Sequence, residues 1–211
     1  MADFEETGLD AAGDFFRQYK RPITIGGGVL VVATAALFLW KQSQATRIEN
    51  AEKAFFQAQS TAAQGNAQLA LADLQKVATR YAGTNAGDRA TLVVAQLLLE
   101  QGKTADAITR LEALAKAGGE ARLGATLPTV LGAAYENLNK HAEAAAQYEK
   151  AATLAPSDQE KAQRRADAAR AFSAAGQKAK AKELWVALAK DERGLLAQEA
   201  RVRLGELEYA R

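Results

Sequence analysis

The chain has 211 residues, of which 25% are charged and 48% apolar, and its formal net charge is +2. That balance suits a folded chain over a disordered one, and so small a charge, with no basic stripe interleaved with aromatics, does not point to nucleic acid as a partner. There is no cysteine and a single histidine, His141, which rules out disulfide frameworks, thiolate metal sites and cysteine nucleophiles.

The first element is an apolar run. Ile23 to Trp40 holds eighteen residues without a charge, enough for a helix of roughly 27 Å against a hydrocarbon core of ~30 Å. Lys20 and Arg21 precede it and Lys41 follows, while Tyr19 and Trp40 stand where aromatic rings meet the headgroups. No small-x-small cleavage site follows Trp40, as a signal peptide would require. The expectation is a short tail over 1–21 and a transmembrane helix over 22–41. Lys and Arg counts tie across the segment. A short tail and a long following domain favour a cytoplasmic N-terminus, which in a bacterial inner membrane puts the remainder in the periplasm. Thr24, Gly28 and either Ala35 or Ala36 form a small-residue strip of the kind that lets helices approach closely in lipid.

Beyond the anchor the chain repeats itself. Gly65, Gly102, Asn139 and Gly176 are 37 residues apart in every case. Five residues after each comes an alanine: Ala70, Ala107, Ala144, Ala181. Four further on comes a large residue: Leu74, Leu111, Tyr148, Trp185. Then, three on, come Val77, Leu114, Ala151 and Leu188. Seven residues before each turn stands a small one: Ala58, Ala95, Gly132, Ala169. The offsets describe two antiparallel helices joined by a turn in the left-handed conformation that Gly and Asn tolerate. The small residues mark where the helices cross, and the large ones fill the space between hairpins. One hairpin cannot bury its apolar face, so such units stack into a solenoid.

The stretch 125–158 resembles a tetratricopeptide repeat, with Leu131-Gly132, Tyr135, Ala144, Tyr148, Ala151 and Pro156 at that motif's spacing and Pro128 where tryptophan is usual. Degenerate copies lie at 51–87, 88–124 and 162–198. The fold expected is all-α: one transmembrane helix, an α-solenoid of about four hairpins over 42–194, and a capping helix over 195–211 with Leu196, Ala200, Leu204 and Leu207 on one face. The three residues beyond the usual period of 34 are expected in the loops between hairpins, at Ala82–Asn85, Ala117–Gly119 and Pro156–Asp158. Nothing from Lys41 to Gln64 breaks a helix, so the anchor is expected to run on into the first repeat.

The layout resembles the bacterial inner-membrane family of YfgM-like ancillary translocon subunits, which have a short tail, one anchor and a periplasmic tetratricopeptide-like domain. The resemblance implies a scaffold that docks on an integral membrane complex and presents its repeats to other proteins. The alternative is a structural accessory subunit of a large photosynthetic or respiratory assembly. Family geometry places a peptide groove on the first helix of each hairpin, which here offers Arg89, Gln96, Glu136, Asn137, Gln163 and Arg170. No constellation points to catalysis, a metal or a cofactor. His141 reads as a solvated turn residue, carboxylate pairs such as Asp191/Glu192 as the polar face of helices, and Lys178, Lys180 and Lys182 as a solvated basic run.

Overall fold

The computed structural model describes the backbone of residues 3–191 and 194–209 and, within these, the side chains of Leu30 and of residues 32 onward. Among the described residues there are ten helices and no strand. They are α1 (Asp3–Ala63), α2 (Ala67–Arg80), α3 (Asn85–Glu100), α4 (Thr104–Lys116), α5 (Gly119–Leu123), α6 (Thr126–Asn137), α7 (His141–Leu154), α8 (Asp158–Ala174), α9 (Lys178–Ala189) and α10 (Ala197–Tyr209). The chain divides into two compact units, Met1–Glu49 and Asn50–Arg211.

Four hairpins make up the second unit: the end of α1 with α2, α3 with α4, α6 with α7, and α8 with α9. Their turns are built alike. Gly65, Gly102, Asn139 and Gly176 all have positive φ, at 86°, 74°, 56° and 73°. In each turn this residue's N–H donates to the carbonyl three back, and the next N–H donates to the carbonyl five further back than itself. Lys103 to Leu98 (2.8 Å), Lys140 to Tyr135 (2.9 Å) and Gln177 to Phe172 (2.9 Å) are examples. This is a Schellman closure, which satisfies carbonyls that a helix end leaves open. The residue after the turn also accepts the first bond of the next helix, as in Ala144 N–H to Lys140 (2.9 Å) and Ala70 N–H to Asn66 (2.9 Å). One residue thus ends one helix and starts another, which keeps every hairpin tight.

Asn139 is the one non-glycine residue with positive φ among those described. A side chain there is strained more than glycine is. Asn139→Gly is expected to stabilise the fold by up to ~1 kcal/mol and Asn139→Ala to destabilise it by about as much, as read from denaturant midpoints at unchanged slope.

The periodic positions are the core. Ala58, Ala95, Gly132 and Ala169 are buried, as are Ala70, Ala107, Ala144 and Ala181, and the large residues Leu74, Leu111, Tyr148 and Trp185. Gly132 replaces alanine for a visible reason. A Cβ there would lie 2.6 Å from the Tyr148 ring, so the ring occupies the volume that a methyl group fills in the other hairpins. Apolar packing forms two clusters, one running from Ala51 to Ala134 and one from Ala144 to Ala200. Leu196, Leu204 and Leu207 pack on the second cluster, so α10 covers the end of the solenoid as its apolar face requires.

Two expectations need correction. The loop at Ala117–Gly119 is not a plain connection. It leads into the extra five-residue helix α5, entered at Gly118 (φ 78°) and left at Gly124 (φ 55°). Arg122 of α5 reaches back to the buried carboxylate of Asp88 on α3 through Nε and donates from Nη2 to the Ala117 carbonyl at 3.1 Å. His141, in turn, is the first residue of α7, half-buried, with its Nδ1 enclosed and unpartnered.

α1 runs without interruption from Asp3 to Ala63. Among the described residues no helix is long and apolar enough to cross a membrane. The span expected over 22–41 extends back into residues whose side chains lie outside those described, Thr24 and Gly28 among them. Ala35 and Ala36 are exposed.

Candidate protein-interaction surface

The same period that buries the core positions leaves others open. On the first helix of successive hairpins, Glu52, Arg89, Thr126 and Gln163 share one offset; Gln59, Gln96, Ala133 and Arg170 share another. All eight are exposed or half-buried. A repeat that buries its crossing residues must turn the opposite helix face outward, and here that face carries amides, charges and small residues. Rows of this kind offer hydrogen bonds along a line, which suits contact with another polypeptide.

Arg89 is exposed, pairs with Glu52 at 3.4 Å, and lays its guanidinium 4.5 Å from the Phe55 ring centre. Two turns further along α3, Gln96 is exposed as well. Glu136 and Asn137 end α6. Asn137 is exposed, but Glu136 is half-buried and accepts a 2.8 Å bond from the Tyr148 hydroxyl. Burial and that bond push the Tyr148 phenol well above its ordinary pKa, so it stays a donor. The Tyr135 hydroxyl does the same for Glu112, its pKa raised to about 12 by burial and then by the carboxylate.

On α8 the candidates form one network. Gln163 Nε2 donates to Asp167 at 3.2 Å, and Arg170 Nη1 donates to the same carboxylate at 2.7 Å. Arg170 also makes a forked pair with Glu199 of α10, Nε to Oε1 at 2.9 Å and Nη2 to Oε2 at 2.8 Å. Gln163 and Arg170 are thus brought together, and so are Arg89 and Glu52. Glu136 and Arg170 serve the fold as well as the surface. Sequence reasoning missed Glu52, Asp167 and Glu199. Glu52 was within reach of it, since it stands one full period before Arg89.

Arg170 hydrogen-bonds Glu199 and thereby holds its carboxyl below the usual range, while the Arg170 guanidinium is raised by the same bond. A depressed carboxyl contributes stability above its unfolded pKa of about 4.3 and loses it as pH falls through the folded value. A raised guanidinium loses its share only in strong base. Docking of α10 should therefore be level near neutrality and weaken below pH ~4. Glu199→Gln is expected to lower the unfolding midpoint at pH 7 and to flatten its fall between about pH 5 and 3, which a pH series of thermal scans measures.

Lys178, Lys180 and Lys182 of the basic run are all exposed. Lys180 Nζ lies 4.9 Å from the centre of the Phe172 ring and Lys182 pairs with Glu208 at 3.4 Å.

Among solved structures, a kinesin light chain of Podospora anserina with nearly identical TPR-like repeats aligns with a TM-score of 0.58 at 17% identity, over 76% of this chain and 86% of that one. A single-residue variant of that protein aligns equally well, over 85% of its length. At that identity the likeness shows the fold alone. No curated protein matches the sequence. The family model described as a tetratricopeptide repeat-like domain matches residues 13–133, more than half of the chain. With its hairpins, turns and crossing positions in register at a period of 37, the chain belongs to the tetratricopeptide repeat-like family.

Proposed function

We propose that this protein is a non-catalytic scaffold subunit. Its α1 helix anchors it in a membrane over residues 22–41, where it docks on an integral membrane complex. Its repeats offer the open A-helix rows to other proteins. In a bacterium that membrane is the inner one, the tail of residues 1–21 lies in the cytoplasm and the repeats lie in the periplasm.

One observation carries the membrane half. Leu30, Val32, Leu37, Phe38, Leu39 and Trp40 are each 59–70% exposed, and they point all around α1, not along one stripe. A helix apolar on every side is stable in lipid or inside a larger protein, not in water. Tetratricopeptide-type repeats are in general protein-contact modules, and the rows through Arg89 and Gln96 supply polar groups at regular intervals. The resemblance to ancillary translocon subunits favours a secretion channel as that complex, with the rows meeting emerging chains or a chaperone.

A tag at the C-terminus, purification in mild detergent and mass spectrometry of stoichiometric partners test the reading. Channel subunits and a periplasmic chaperone support it. Electron-transfer or pigment-binding subunits would replace it with a structural role in an energy-converting complex, and recovery of the chain alone from intact membranes would remove the scaffold assignment.

A further inference from the structure

Among the described residues five basic side chains are half-buried: Arg122, Lys161, Arg164, Arg165 and Arg170. Three have carboxylate partners. Arg122 pairs with Asp88, Arg164 with Asp167 at 2.8 Å, and Arg170 with Asp167 at 2.7 Å and Glu199 at 2.8 Å. Lys161 and Arg165 have no such partner among the described residues. A cation that loses part of its hydration without gaining a carboxylate destabilises the free chain. The two stand four residues apart on α8, which puts them on one helix face.

Both line the same cleft, of about 770 Å³, between the first two turns of α8, the end of α9 and the segment that enters α10. That volume falls within the range of ordinary ligand pockets. Beside the two cations stand apolar Ala162, Leu188 and Leu196. Gln163 lines the cleft as well, so it adjoins the open row through Glu52, Arg89, Thr126 and Gln163. Asp158, Glu160 and Asp191 are on its wall, exposed, and pair with neither cation. With Arg164 the cleft carries three cations against three carboxylates. A surface dense in negative charge therefore gains nothing by approaching it. One carboxylate set between Lys161 and Arg165 gains two charge-assisted contacts at once.

Resting on the protein-contact reading of the open rows, we infer that this cleft is their subsite for an acidic side chain of the partner polypeptide. The side chain is an Asp or Glu flanked by apolar residues. Its carboxylate lies between Lys161 and Arg165, and its neighbours pack on Leu188 and Leu196. A guanidinium grips a carboxylate with two parallel bonds, and an ammonium one helix turn away adds a third. Hairpin four thus selects for charge where the earlier part of the row offers neutral or already paired groups.

Isothermal titration calorimetry of the full chain in mild nonionic detergent tests this. The probe is the peptide Ala-Leu-Glu-Leu-Ala, acetylated and amidated so that its one carboxylate is the side chain. It should bind at least about tenfold more tightly than the same peptide with Gln for Glu. Lys161→Gln and Arg165→Gln should each weaken the Glu peptide about tenfold and leave the Gln peptide unchanged. Lys182→Gln, outside the cleft, should leave both within about twofold. Neither cleft cation has a partner to strand, so both variants should keep the thermal midpoint within about 2 °C of the unaltered chain. No binding of the Glu peptide, equal affinity for the two peptides, or a midpoint that falls by more than about 5 °C overturns the subsite. So does displacement of the peptide by inorganic phosphate at lower concentration than by acetate, which would assign the cleft to a phosphate group. The tagged double variant Lys161→Gln/Arg165→Gln, purified as above, keeps two failures apart. Partners lost from it but kept by Lys182→Gln support the subsite. Partners kept by both overturn the subsite and leave the scaffold standing, and no partner even on the unaltered chain removes both.

Discussion

Replacing Trp185 by alanine should lower stability by about 3–5 kcal/mol and the thermal midpoint by roughly 10 °C. Trp185 is 1% exposed and is the largest buried side chain in a cluster otherwise made mostly of alanine. Its equivalents in the other hairpins, Leu74, Leu111 and Tyr148, fill the same inter-hairpin space. In the second cluster the buried residues around it are mostly alanine, with Leu188 buried and Leu184, Leu196, Leu204 and Leu207 packed on the cluster's edge. Alanines cannot extend into a cavity, so part of the void should persist and the penalty should fall within the range for aromatic truncation. The indole N–H has no partner in the structure, so Trp185→Phe leaves no orphaned acceptor behind and should cost less than half as much. Comparable losses for both substitutions in thermal or denaturant unfolding would mean that an unseen hydrogen bond, not volume, holds the position.

The second large effect lies at the insertion. Asp88 is 1% exposed, near the start of α3, and is paired with Arg122 of α5. Nearby, Thr84 caps α3, its Oγ1 accepting from Gly87 N–H at 3.1 Å and donating to the Tyr81 carbonyl at 2.7 Å. A Cβ on Gly87 would stand 2.1 Å from that same carbonyl, so Tyr81, Thr84, Gly87 and Asp88 pack as one tight corner. Removing one partner of a buried pair costs about 3–5 kcal/mol when the other is left buried. The Arg122 side chain is 29% exposed and regains water in part, so Asp88→Ala is expected to cost ~2–3 kcal/mol, at the lower end. Arg122→Ala should cost more, because it strands a carboxylate that water cannot reach. Denaturant curves for the two variants and the double mutant give the coupling directly. Additive losses would mean that the pair carries no energy of its own.

The solenoid was legible because its turns are written in residues with a steric reason to be there. Glycine at 65, 102 and 176 and asparagine at 139 mark the left-handed positions, and the small residues seven before each mark the crossings. α5 was not legible. Five residues make little more than one turn, too few to show a period, and the pair that fixes α5 joins residues 34 apart. The division of the core was hidden for a different reason. A period records where apolar residues fall, not how much area they bury, so Ala151 scored with Leu114 although they differ by three carbons. The open rows were half readable. The period located Arg89 and Gln96, whereas the partners of Arg170 depend on where α10 docks, which no offset within the repeat encodes.

The anchor joined to a protein-binding repeat is the centre of this account, and alkaline extraction of membranes tests it most directly. The full chain should stay in the pellet at high pH, and a chain beginning at residue 42 should move to the supernatant while keeping its helical circular dichroism. Release of the full chain at high pH would contradict the anchor. A truncated chain that lost its helices would show that residues 1–41 belong to the repeat fold and not to the membrane.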